Sequence, residues 1–269
     1  MANGNLKGRT ALVTGSVQGI GLAIALKLAE AGCRVAVHGL ASAEDKARAL
    51  AAVKAAGAPE TRFFETDLRD PYAIDAMMEK VEQWGGPDIL VNNAGIQQTA
   101  PIAKMPQVTW DAILSVNLSA AFHTMRRALP GMAERGYGRV INIASVHGLV
   151  ASVNKAPYVA SKFGLVGLSK VAALEYAAAG SRDSGGVTVN CICPGWTETE
   201  LIRPQVEARA EEFGGDRDKG IASLLSEKQP SMRLSDPSEI GEAIIWLASP
   251  LAHNVTGISL PIDGGWTAQ

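Results

Sequence analysis

Residues 9–32 read RTALVTGSVQGIGLAIALKLAEAG, and this stretch decides the fold. A short apolar run (9–14) stops at a turn holding Gly15, Gly19 and Gly21, and the helical pattern LAIALKLAEAG follows. A strand that feeds a glycine-rich turn and then a helix is the phosphate-binding start of a dinucleotide fold. The spacing here is G-x-x-x-G-x-G. Glycine lets the backbone turn tightly and approach a pyrophosphate with no Cβ in the way. The helix N-terminus then presents free N–H groups to the anion.

Outward from this unit, strands and helices alternate to the end of the chain. The run RVAVHGL (34–40) should end beside the adenosine ribose, where an acid selects NAD and a basic residue accommodates the 2′-phosphate of NADP. It ends His38-Gly39-Leu40-Ala41 with neither, and Ser16, Val17 and Gln18 are uncharged, so NAD is the expected cofactor. His38 reads as a surface histidine with no role. A helix over 43–56 leads to the strand TRFFETD, whose last residue, Asp67, is placed to accept from an adenine amino group. Asp70, followed by Pro71, reads as the cap of the next helix. The strand DILVNNAG (88–95) is apolar, as a parallel strand buried on both faces should be, and closes with Asn92, Asn93, Ala94 and Gly95 at the edge where ligands bind.

A helical stretch over 107–134 carries Asn117 in its middle, where a poor helix former calls for a reason. The strand GRVINIAS delivers Ser145, and the next helix, over 157–179, carries Tyr158 and Lys162. Positions i and i+4 share a helix face, so a phenol and an ammonium can meet one target, and the ammonium favours the phenolate. Proton transfer near neutral pH needs the tyrosine lowered by roughly 2–3 units from about 10. After the polar connection AGSRDSGG (179–186) the strand VTVNCIC ends in PGWTETE, with Thr199 placed to bond a carboxamide. Residues 197–228, charged and alanine-rich, suit a mobile lid. Asp236-Pro237 caps the last long helix, and VTGISLPIDGG is the last strand and turn. The expectation is one α/β domain over residues 1–269, a Rossmann-type doubly wound parallel sheet with helices on both faces.

Composition narrows the function. Of the 269 residues 47% are hydrophobic, enough for a sizeable core, and the net charge of −2 offers no bulk attraction to nucleic acid or an anionic membrane. No apolar run is long enough to span a bilayer, and MANGNLKGRT lacks the apolar core of a secretory signal. Cys33, Cys191 and Cys193 make neither a disulfide framework nor a zinc pattern, so no metal is expected. These features suit a soluble cytoplasmic protein.

TGSVQGIG, NNAG, Asn117, Ser145, Tyr158-x-x-x-Lys162 and PGWTET stand in a fixed order that resembles the short-chain dehydrogenase/reductase family over nearly the whole chain. The resemblance implies a catalytic tetrad of Asn117, Ser145, Tyr158 and Lys162. For the cofactor it implies Gly15, Gly19, Ile20, Gly21, Leu40, Asp67, Leu68, Asn93, Gly95, Pro194 and Thr199, with Tyr158 and Lys162 reaching the ribose and nicotinamide. Finer segments (NNAGIQ, INIASVHGLVAS, K-x-x-Y at 155–158, NCICPGW, LLSEKQPS and DGGWTA) look like the branch that oxidises (R)-3-hydroxybutyrate to acetoacetate with NAD. That likeness implies Gln97, His147, Lys155 and Gln205 around the carboxylate of a small hydroxy acid, with Trp196 and Trp266 walling its methyl end. A lysine with amide and imidazole donors is a chemically sound clamp for one anion.

The implied roles are Tyr158 as general base, Ser145 holding the reacting oxygen, Lys162 lowering the tyrosine pKa and bonding the ribose, and Asn117 positioning a water. A homotetramer is implied too, with ISLPIDGGWTA suited to an interface. Three features depart from that branch: the longer 179–186 connection, the negative Glu198 and Glu200 near the anion site, and Leu40 where a phenylalanine is usual. A family member acting on a sugar, polyol or 3-oxoacyl thioester is the nearest alternative. A catalytically silent nucleotide-sensing scaffold is the alternative from another class.

Overall fold

The computed structural model describes residues 6–268; the first half of the N-terminal segment MANGNLKGRT (1–10) lies outside the described residues. In chain order the strands are β1 (Thr10–Val13), β2 (Arg34–His38), β3 (Thr61–Phe64), β4 (Ile89–Asn92), β5 (Tyr137–Ile143), β6 (Gly186–Pro194) and β7 (Ser259–Ile262). They form one parallel sheet in the order β3-β2-β1-β4-β5-β6-β7. The helices are α1 (Gly19–Glu30), α2 (Ala43–Ala55), α3 (Pro71–Gln83), α4 (Gln107–Leu114), α5 (Ala120–Arg135), α6 (Ala156–Tyr176), α7 (Arg203–Glu211), α8 (Arg217–Ser226) and α9 (Pro237–Ala248).

The central strands are mostly apolar because helices cover both faces of the sheet. Ala11 and Val13 of β1 enter one core with Ile24 and Leu28 of α1, Val53 of α2 and Ile240 and Ile244 of α9. Leu12, between them, enters the other core with Ile74 and Met78 of α3, Leu129 and Met132 of α5 and Ala172 of α6. Asp70 caps α3 by accepting from the amides of Tyr72 and Ala73, and Asp236 caps α9 in a reciprocal box with Glu239. The winding reverses between β1 and β4, which opens a crevice at the carboxyl ends of the strands.

Two segments differ from the expected outline. The helix expected over 107–134 is broken into α4, a π-helical turn at Ser115–Ser119, and α5. Such turns re-aim side chains, and this one carries Asn117. The long 179–186 connection lies at the amino edge of the sheet, where Gly186 pairs with Tyr137, on the opposite edge from the crevice. The fully buried Arg139 anchors it, donating to the carbonyls of Gly138, Gly185 and Gly186 at 2.9–3.0 Å. This departure therefore does not reach the crevice. No helix among the described residues is long and apolar enough to cross a membrane.

Candidate active site

One cavity of about 680 Å³ opens at the crevice, and every side chain expected in the site lines it except Asn117. Its floor is the glycine turn. Gly15 and Gly19 have φ of +63° and +57°, and a Cβ on Gly21 would sit 2.1 Å from the Gly15 carbonyl oxygen. The bare Gly21 lets the start of α1 press against the turn. Gln18 places no side chain over the helix end, leaving the first amides of α1 directed at the cavity. Asn93 holds the turn from below, its Nδ2 donating to the carbonyls of Thr14 and Gly15 at 2.9 and 3.0 Å. Thr14 Oγ1 accepts in return from the amides of Asn93 and Ala94. The opposite wall closes on the same turn, since Thr199 Cγ2 would lie 3.6 Å from a Cβ on Gly19.

His38 corrects the expectation of a surface histidine: it is 3% exposed. Its Nδ1 accepts from the Gly15 amide at 3.1 Å, and Nε2 donates to the Thr66 carbonyl at 3.1 Å. Burial pushes its pKa down to about 4, partly offset by the bond to Thr66, so the ring is neutral. His38 thus supports the glycine turn from β2.

At the far end Leu40 is exposed, and Asp67 and Arg69 share the cavity wall. Arg69 grips Asp67 with Nη2 at 2.6 Å and Nε at 3.0 Å, holding its carboxyl below the usual range. The turn and β2 bring no cation, but Arg69 does, with its charge already matched.

The reactive groups lie at the carboxyl end of β5. Ser145 Oγ accepts from the His147 amide at 3.1 Å. Tyr158 sits in the first turn of α6, where burial raises its phenol pKa and the Ser145 bond lowers it. Lys162 Nζ lies 5.6 Å from the Tyr158 ring centre and donates to the Ile143 carbonyl at 2.7 Å. Burial lowers its pKa to about 8. The expected depression of Tyr158 by Lys162 is absent from this arrangement: the lysine's charge faces a carbonyl, and desolvation dominates the phenol. Asn117 Oδ1 accepts from the Ile96 amide at 2.9 Å, and Nδ2 donates to the Ile96 carbonyl at 3.0 Å and to Ser161 Oγ at 3.3 Å. Its amide is committed to pinning the π turn to the β4 loop and α6.

Beyond Tyr158 the cavity becomes an aromatic and cationic pocket. The rings of Trp196 and Trp266 lie 5.8 Å apart, and His147 meets Trp266 edge-on at 5.5 Å and Tyr158 at 6.1 Å. Lys155 Nζ stands 5.3 Å over Trp196, and burial and the charge of Lys228 lower its pKa to about 8. His147 Nδ1 pairs with the Val150 carbonyl at 3.2 Å, and burial and the two lysines push its pKa to about 4. The neutral ring therefore donates through Nδ1 and offers Nε2 as an acceptor. Gln205 of α7 faces Gln97: with its amide nitrogen donating to the carbonyls of Leu201 and Ile202, its oxygen accepts from Gln97 Nε2 at 2.8 Å. Glu198 is paired with Arg217 and Glu200 with Arg203, so neither carboxylate presents an unmatched charge to this pocket.

His38 and Arg69 line the cavity, Ser161 touches Asn117 and Lys228 stands over Trp266 of its wall, with no role assigned to them from the sequence. The visible signals were a polar residue at the end of an apolar strand for His38 and the basic residue of EKQPS for Lys228. Among the described residues no three His, Cys, Asp or Glu side chains converge as a metal site would require.

The sequence matches the profile of the short chain dehydrogenase family over residues 9–210. It is 47% identical over 265 residues to a D-beta-hydroxybutyrate dehydrogenase of Cupriavidus necator, covering 98% of this chain and 100% of that protein. A D-beta-hydroxybutyrate dehydrogenase of Rhizobium meliloti is 41% identical over 262 residues, with 97% and 99% covered. A solved structure from Beutenbergia cavernae, provisionally assigned as an NAD(P)-dependent gluconate 5-dehydrogenase and holding NADP, superposes with a TM-score of 0.85 at 32% identity over 98% of this chain and 99% of that one.

Proposed function

The chain belongs to the short-chain dehydrogenases, and from that premise we propose that it interconverts (R)-3-hydroxybutyrate and acetoacetate with NAD. The observation that carries this reading is Lys155, a partly desolvated ammonium over Trp196 in the same cavity as the Gln97–Gln205 amide pair and Tyr158. A short acid anchored there by its carboxylate would lie against the Trp196–Trp266 wall of the same cavity that holds Tyr158 and Ser145.

The glycine turn fits a dinucleotide, because a side chain on Gly21 would displace the backbone that has to meet the pyrophosphate. NAD rather than NADP is favoured by the bare β2 end and by the engagement of Arg69 with Asp67. Bound NAD supplies the hydride acceptor and a positive ring that favours ionisation of the nearby phenol. Tyr158, as phenolate, takes the substrate hydroxyl proton and returns it in the reverse direction. Ser145, hydrogen-bonded to Tyr158, steadies the reacting oxygen. Lys162 orients the ribose and passes the proton onward, and Asn117 keeps the π turn in register with both. Lys155 and the two glutamines hold the carboxylate. His147 donates to it only as an imidazolium, a form that the acid's charge favours. The likeness to hydroxybutyrate dehydrogenases also carries the expectations of a homotetramer and a cytoplasmic setting.

Tyr158→Phe tests the assignment. Turnover should fall by roughly 10²–10⁴-fold, the usual worth of a general base, with NAD binding retained. Survival of most of the activity would refute it.

A further inference from the structure

We propose that Lys228 is a second, specificity-determining cation of the acid-binding pocket, acting with Lys155 on the substrate's carboxylate end. The inference rests on the reading of the site as an acid pocket, and it concerns a residue just past α8, within the LLSEKQPS segment but with no role implied for it there.

Lys228 Nζ is 5.6 Å from the centre of the Trp266 ring, as Lys155 Nζ is 5.3 Å from that of Trp196, and the two rings are 5.8 Å apart. The ammoniums thus stand on the two tryptophans that form one wall of the pocket. Both charges are felt by His147, and that of Lys228 is felt by Lys155. The lid's neighbouring acids are spoken for: Glu227 by Arg209, Glu198 by Arg217 and Glu200 by Arg203. Among the described residues neither lysine has a carboxylate within ion-pair distance. Two half-buried cations brought together with no protein anion repel each other, and an arriving carboxylate relieves that repulsion. A neutral substrate gains nothing from it.

Lys228 also joins two segments of the pocket wall. It follows the last turn of α8, and its Nζ donates to Ser152 Oγ at 3.3 Å, on the segment between Ser145 and Lys155. A tether and a charge are separable roles, and only the charge discriminates acids from neutral molecules.

The test compares wild type with Lys228→Met, Lys228→Arg and Ser152→Ala. Methionine keeps an apolar stem over Trp266, and thermal melting with NAD binding reports on folding. The KM for (R)-3-hydroxybutyrate should rise about tenfold in Lys228→Met, the effect of one partly screened charge, with a smaller change in kcat. Arginine should restore most of the loss. Ser152→Ala should move KM less than about twofold, since it removes only a neutral bond. The uncharged (R)-3-hydroxybutyramide should not distinguish Lys228→Met from wild type. The alkaline rise in KM for the acid, set in wild type by Lys155 near pH 8, should move to higher pH once the neighbouring charge is gone.

An unchanged KM and pH profile in Lys228→Met would overturn the proposal, as would Ser152→Ala reproducing the whole effect. If wild type turns over no hydroxy acid, the functional reading fails on its own. Calorimetry with butyrate then decides the lysine: weaker binding to Lys228→Met sustains the two-cation pocket, and equal binding overturns it.

Discussion

Replacing His38 with asparagine should flatten the acid limb of stability while leaving the glycine turn in place. In the folded chain His38 is neutral, with a pKa of about 4 set mainly by burial. In the unfolded chain a histidine titrates near 6.5. A folded pKa below the unfolded one means that protons bind the unfolded state preferentially between these values. Stability is then full above pH 6.5 and is lost as pH falls toward 4. Between pH 7.5 and 5.5 the linkage integrates to about 1.3 kcal/mol for this one side chain. His147, also at about 4, contributes a similar amount, so wild type should lose about 3 kcal/mol over that interval from the pair. The asparagine of His38→Asn does not titrate, and its oxygen can occupy the place of the imidazole Nδ1, which accepts from Gly15 at 3.1 Å. Losing the donor to Thr66 should cost about 1 kcal/mol at neutral pH. Urea titrations of both proteins at the two pH values measure this directly. The variant should show about half the wild-type pH loss. An identical loss in both would show that His38 does not titrate as its burial demands.

Gly21→Ala should weaken NAD binding by about 100-fold or more, because its Cβ meets the Gly15 carbonyl at 2.1 Å and Asn93 Nδ2 at 2.4 Å. Gly167→Ala, in α6 with open space around the new methyl, is the control, and melting should show it stabilised by about 0.5–1 kcal/mol. Lys155→Ala should raise the KM for a hydroxy acid by about 100-fold and leave a neutral polyol untouched. In wild type the same KM should climb above about pH 8, because the depressed pKa of Lys155 removes its cation there. Steady-state kinetics across a pH series spanning that value would show both.

The sheet was legible in the sequence because its central strands are buried on both faces and end in recognisable turns. Ala11, Leu12 and Val13 could be read as a core strand without knowing which helix each would meet. The caps at Asp70 and Asp236 were equally visible, since Asp-Pro names both the cap and the first helical residue. Asn117 announced itself as out of place in a helix, but the π turn that explains it depends on the Ile96 backbone, 21 residues away. His38 was not legible as a buried group, because burial at the end of its strand depends on Thr66 and Gly15 closing over it, and neither contact leaves a local pattern. The electrostatics were the least legible. Neighbouring charges can be read off a sequence, but desolvation outweighs them at Tyr158 and Lys162, and burial is a property of the folded chain. In the same way Glu198 reads as misplaced negative charge until the fold brings Arg217 beside it, whereas Glu200 is matched locally by Arg203 three residues on.

The central claim is that one cavity pairs an acid-binding pocket with a dinucleotide cradle across Tyr158. Reduced nicotinamide formed from (R)-3-hydroxybutyrate, followed by absorbance beside the (S) isomer and with NADP in place of NAD, tests it most directly. Turnover should be strong with the (R) acid and NAD, and weak when either is exchanged. No turnover, or equal rates for the two isomers, would contradict the account at the substrate pocket, and a preference for NADP would contradict it at Arg69 and the β2 end.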